Sequence, residues 1–103
     1  MIRVEVSKDK THDICLKWKV TELALFGSVL REDFRSSSDI DVLVSFEAAA
    51  RWSLMAMVEI QDELEKILGR KVDLVERSAI ERSENYIRRR HILASAEPVY
   101  VAR

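Results

Sequence analysis

The chain has 103 residues, 48% of them hydrophobic, with 18 acidic and 17 basic side chains. That length suits one folded domain and leaves no room for a separate substrate domain; the apolar content excludes a disordered chain. The balanced charge gives no bulk argument for nucleic-acid binding. No apolar run approaches the ~20 residues of a membrane span, and Met1-Ile2-Arg3 does not look like a signal peptide. Cys15 is the only cysteine, which rules out a disulfide framework or a cysteine zinc site and fits a reducing cytoplasm.

Ile2, Val4 and Val6 alternate with Arg3 and Glu5, which reads as a short edge strand or an ordered arm. Ser7 is a good N-cap for a helix over about Lys8 to Lys19, with Thr11, Ile14, Cys15 and Trp18 facing inward and His12 solvated. Val20 to Phe26 reads as a buried strand. It stops at Gly27-Ser28, and Val29-Leu30-Arg31 suggests one helical turn. Arg31 to Ser38 is polar and reads as a surface loop. Asp39 to Phe46 is the second strand; its Val42-Leu43-Val44 core predicts burial on both faces.

Trp52 to Leu68 is the clearest helix, with Leu54, Met57, Ile60, Leu64, Ile67 and Leu68 as its apolar stripe. Glu59, Asp62, Glu63, Glu65 and Lys66 are expected outside, and Gly69 ends the helix. Trp52 reads as core, with base stacking or an interface as the other option. Lys71 to Glu76 is a third strand, Val72 and Leu74 on one side, Asp73 and Val75 on the other. Ser78 and Glu81 form the pattern of a capping box for a last helix, about Ala79 to Ala94. That helix carries Arg88-Arg89-Arg90-His91, read equally as a solvated face and as a site for phosphates, partner acids or RNA. His91 against the sheet is a further option, and Tyr86 and Tyr100 are expected to be partly buried. Val99 to Val101 can form a final short strand after Pro98. Strands alternating with helices predict an α/β (α+β) fold, a small mixed sheet flanked by helices.

Asp39 and Asp41 stand at the start of a hydrophobic strand. At i and i+2 they share a face, roughly 6–7 Å apart. Like charges that close favour either a proton or a cation between them. Magnesium takes one or two carboxylates together with phosphate oxygens, and Asp73 on a later strand is the candidate third ligand. Gly27 lets the backbone approach a phosphate, and Ser28 with free N–H groups can bind it.

The set of Gly27-Ser28, ten residues, Asp39-Ile40-Asp41, and Asp73 on a later strand resembles the minimal nucleotidyltransferase (MNT) family of the DNA polymerase β-like superfamily. Ser38 matches the serine that often precedes the first Asp, Phe26 the aromatic before Gly, and Arg31 the arginine of the Gly-Ser-x-Ala-Arg-Gly pattern; Glu32 replaces its last glycine. The resemblance covers about Val20 to Tyr100 and implies a nucleotidyltransferase fold over residues 1–103 as a single domain. It implies magnesium-dependent transfer of AMP from ATP to a hydroxyl of a partner protein. Asp39, Asp41 and Asp73 would be catalytic and metal-ligating, with a two-metal arrangement open, and Gly27, Ser28, Arg31 and Ser38 would bind nucleotide. It also implies a partner, a helical toxin of the HEPN ribonuclease type whose tyrosine is adenylylated by this antitoxin. The alternative is a non-catalytic antitoxin that inhibits by complex formation. A small-molecule acceptor such as an aminoglycoside would need a second domain or a dimer cleft. Direct nucleic-acid or membrane binding is not expected, and homo-oligomerisation is left open.

Overall fold

The computed structural model describes residues 5–31 and 39–102. Helix α1 (Lys8–Lys17) starts at Ser7, whose side chain accepts from the Lys10 N–H at 3.4 Å. Asp9 in its first turn and Lys17 in its last complement the helix dipole. Thr11, Ile14, Cys15 and Trp18 are its buried side, as the spacing predicts, and His12 is exposed. Lys19 adopts a left-handed φ of 56° and turns the chain into strand β1 (Val20–Phe26). A single 3-10 turn, Gly27–Leu30, follows, where the sequence predicts one turn. Strand β2 (Ile40–Phe46) begins one residue after Asp39. The strand expected around residues 2–6 is absent at Glu5 and Val6, and its first residues lie outside the described part, as does nearly all of the 31–38 loop.

Helix α2 (Leu54–Leu68) is capped by Ser53, which accepts from Ala56 N–H at 3.2 Å. It begins two residues later than the apolar pattern suggests. The cap explains the shift, because Ser53 offers a helix start that Trp52 cannot. Two expectations for this helix are corrected. Leu54, assigned to the apolar stripe, is 81% exposed, because it opens the helix and the core packing of α2 begins only at Ala56 and Met57. Glu63 and Glu65, assigned to the outside, are half-buried and bonded. Glu63 accepts from Trp18 Nε1 at 2.7 Å and from Lys17 Nζ at 3.0 Å; Glu65 accepts from the Val72 N–H at 2.8 Å. Gly69 ends α2 in a left-handed conformation, φ 69°. Trp52 packs edge-on against Trp18, centroids 5.1 Å apart, and its Nε1 donates to the Trp18 carbonyl. Trp52 is thus a core-side residue.

Strand β3 (Val72–Glu76) leads into α3 (Arg77–Glu81), then α4 (Tyr86–Ser95) and strand β4 (Glu97–Val101). The last helix is therefore two helices, and the expected capping box does not form. Ser78 sits inside α3 and its hydroxyl lies 3.4 Å from the Glu76 carboxylate, while Glu81 pairs with Arg77. The cap of α4 is Asn85, whose side chain accepts from the Arg88 N–H at 3.2 Å. Asn85 N–H in turn bonds Ser83 Oγ at 3.3 Å, so local side-chain bonds break the helix between 82 and 85. His91 is exposed, as the solvated-face reading has it, and Tyr86 is exposed against its expected partial burial; Tyr100 is half-buried, its ring 5.8 Å from that of His12.

The sheet order is β3-β2-β1-β4; β2 and β3 are parallel, and the other pairs antiparallel. This is the small mixed sheet the element order predicts. Alternation along β2 fixes both layers. Ile40, Val42 and Val44 join Ile14, Cys15, Trp18, Ile60 and Leu64 in the core under α1 and α2. Leu43 joins Ala24, Phe26, Ile80 and Ile92 in a smaller core under α3 and α4. Val72 and Leu74 face the first core and Val75 the second, as the strand alternation predicts. Pro98 lies in β4 opposite Ala24, where the register slips; an edge strand with a bulge tolerates its missing N–H.

Candidate active site

The three acids converge at the start of β2 and β3. Asp41 pairs in register with Asp73 across the parallel strands and with Phe26 across the antiparallel ones. Alternation puts Asp41 on the Leu43 side of the sheet, with Ile40 fully buried behind it. Asp73 shares that side with Val75. Neighbouring strands run about 4.8 Å apart, so these two carboxylates emerge next to each other. Asp39 stands just before β2 and is exposed. Its amide successor is held in place, because Ile40 N–H bonds the Lys71 carbonyl at 2.9 Å.

The electrostatics show the convergence. Burial pushes the half-buried Asp41 carboxyl above its ordinary range, and the negative charges of Asp73 and then Asp39 push it further. The Arg31 and Arg88 guanidiniums pull it down. Asp41 thus sits where a proton or a cation relieves strain between like charges.

Gly27 closes the other side. Its φ of 74° is left-handed, and a Cβ there would run into the Asp41 carboxylate oxygen. Backbone strain and space therefore both demand glycine. The turn is anchored by Val29, which is completely buried under α1 and α2. It leaves Ser28 half-buried, and the Arg31 N–H bonds the Ser28 carbonyl at 2.9 Å. Gly27 and Arg31 thus lie near Asp41, and Ser28 follows Gly27 in the same turn. Ser38 lies outside the described residues.

The donor set suits magnesium. All three candidate ligands are oxygen donors, and the bare Cα of Gly27 lets the Asp41 carboxylate pack directly against the turn. Among the described residues no group of three or more acidic, histidine or cysteine side chains is gathered into a ready-made cage. Asp73 and Asp39 are close enough to raise the proton affinity of Asp41 without the three being drawn onto one point.

Arg88 is the participant that the sequence left undecided. Helix α4 packs Ile92 onto Phe26 and Leu43, and Arg88 lies one turn before Ile92. No local signal marks Arg88, because the packing of Ile92 on Phe26 and Leu43 joins residues far apart in the chain. Arg89 is used otherwise: its Nη1 donates to the Ser83 carbonyl at 2.9 Å, bracing the α3–α4 link.

A Gly-Ser turn against paired acids on adjacent strands of a small mixed sheet is the candidate site. Comparison with known proteins gives the family. The family model for the nucleotidyltransferase domain matches residues 9–94, and the chain belongs to that family. It is 39% identical over 64 residues to the protein adenylyltransferase MntA of Thermococcus cleftensis, covering 62% of this chain and 63% of the relative. The chain spans 63% or 64% of the length of two Methanocaldococcus jannaschii relatives as well, less than two thirds in each case. Among solved structures, a chain described as a minimal nucleotidyltransferase superposes with a TM-score of 0.68 at 28% identity, covering 89% of this chain and 88% of that one. A tri-AMPylated Shewanella oneidensis HEPN toxin in complex with an MNT antitoxin matches with a TM-score of 0.58 at 24% identity, covering 92% of this chain and 70% of that one. That likeness concerns the fold.

Proposed function

We propose that this chain transfers AMP from ATP to a hydroxyl on a partner protein, and that the partner is a HEPN-type toxin held in check by the modification. The observation that carries the reading is the in-register pair Asp41 and Asp73, with Gly27 bare against the Asp41 carboxylate. The named activity of the Thermococcus relative and the modified toxin in the Shewanella complex support it.

In this reading Asp39, Asp41 and Asp73 hold magnesium, which when bound stabilises negative charge on phosphate in an in-line displacement. The Gly27-Ser28 turn offers backbone N–H groups and a hydroxyl to the β- and γ-phosphates, and Arg31 adds a cation. Ser38 is assigned to the same nucleotide site. The acceptor oxygen bonds to the α-phosphorus as the bond from phosphorus to the bridging oxygen breaks. Pyrophosphate leaves with that electron pair, and Asp73, exposed beside Asp41, takes the hydroxyl proton. Asp39 and Asp73 are exposed, which suits an acceptor carried on another protein. No helix among the described residues is long and apolar enough to cross a membrane, and the reading places the protein in the cytoplasm.

The test is label transfer from α-labelled ATP, with magnesium, to a co-expressed HEPN-type partner. The wild type labels the partner, and Asp39→Asn with Asp41→Asn does not. Labelling by the double variant at the wild-type rate overturns the assignment. A silent double variant that still neutralises the partner would instead establish inhibition by binding.

A further inference from the structure

The exposed basic run on α4 is not absorbed by the motif, and its three arginines have different surroundings. Arg89 is spent on the Ser83 carbonyl. Arg90 is exposed on the same helix. The Arg88 side chain makes no hydrogen bond or ion pair among the described residues; only its backbone N–H is used, by Asn85. Yet Arg88 is one of two cations whose field reaches Asp41.

Its position follows from packing. Ile92, four residues on, is buried with Phe26 and Leu43. Phe26 is the strand partner of Asp41, and Leu43 follows Asp41 on the same side of β2. Residues four apart lie on one side of a helix. Arg88 is thereby held beside the acids from the helix layer, while the Gly27-Ser28 turn approaches from the end of β1. The Asn85 cap fixes where α4 begins and hence which arginine occupies this place.

An arginine kept near the Asp41 carboxylate without locking onto it is poised for a ligand that carries negative charge of its own. We infer that Arg88 is a ligand of the nucleotide's phosphate chain. This rests on the nucleotidyltransferase reading and adds to it a residue outside the motif. A guanidinium can hold two phosphate oxygens at once, whereas an ammonium acts as a point charge.

The competing role is simple charge compensation, in which Arg88 only eases repulsion among the acids. The two roles differ in sign. Removing a cation beside carboxylates strengthens the binding of bare magnesium and weakens the binding of a polyphosphate. Titration calorimetry on the full chain with magnesium alone and with ATP plus magnesium separates them. For Arg88→Ala the expected result is a loss of ATP affinity of roughly 10- to 100-fold, with magnesium alone bound at least as tightly as by wild type. Arg88→Lys should recover part of the ATP affinity, and Arg90→Ala should bind ATP as wild type does. The inference is overturned if Arg88→Ala keeps its ATP affinity, if it loses ATP and magnesium in equal proportion, or if Arg90→Ala loses as much. Wild-type protein that binds magnesium but no ATP removes the nucleotidyltransferase reading itself, and this inference with it.

Discussion

Asp41 carries the clearest consequence at the scale of single residues. Its folded-state proton affinity is raised, so the folded chain holds a proton that the unfolded chain has already lost. Stability therefore falls as pH rises through this carboxyl's titration, and the ionised form is the costly one. Asp41→Asn should melt higher than wild type at neutral pH without metal, by about 1–6 °C. That corresponds to the ~0.2–1 kcal/mol of a like-charge cross-strand pair. The gain should vanish on acidification, and magnesium should raise the melting temperature of wild type only. Gly27→Ala acts in the opposite direction, since it forces a Cβ into a left-handed turn and into Asp41. A loss of about 1–3 kcal/mol in a denaturant titration is expected, with loss of the magnesium response. Cys15 is 1% exposed, and burial pushes its thiol up to about 12. It should ignore a thiol reagent until the chain unfolds, and this thiol should cost stability between about pH 9 and 12, as only the unfolded state deprotonates.

Among the elements, the α3–α4 break decides the most. Because Asn85 caps α4 and Ser78 caps nothing, Asn85→Ala should cost about 1 kcal/mol in denaturant unfolding. Ser78→Ala should cost less than about 0.5 kcal/mol. Equal costs would restore the single capped helix. Strands β1 to β3 and helix α2 were legible because short apolar runs and a 3.6-residue stripe are signals a chain carries locally. The break at 82–85 was not, since Arg82-Ser83-Glu84-Asn85 is compatible with helix until Asn85 and Ser83 bond their own backbone neighbours. Leu54 and Glu63 were misplaced for a related reason. Periodicity says which residues share a side of a helix, but not where the neighbouring layer ends or which indole N–H needs an acceptor.

For the whole molecule, the acidic end of the candidate site was readable because carboxylates at the mouth of an apolar strand are costly without a purpose. The parallel register that seats Asp73 beside Asp41 follows from the crossover through α2, a long-range pairing that no local pattern states. Arg88 stayed undecided for the same reason, since its relation to Asp41 passes through Ile92 and Phe26.

One more property concerns the outer flank of β3. Its Val72 and Leu74 amides do not point at open water: Glu65 accepts the first at 2.8 Å and Gln61 lies 3.4 Å from the second. Two side chains of α2 thus stand where a fifth strand would bond. Exposed edges recruit foreign strands, and this flank offers carboxylate and amide groups in place of a free ladder. Replacing both Glu65 and Gln61 by alanine should leave a folded protein whose light scattering grows with concentration, while wild type stays clear. A neighbour on this flank must dock on side chains, because the sheet is closed to growth there.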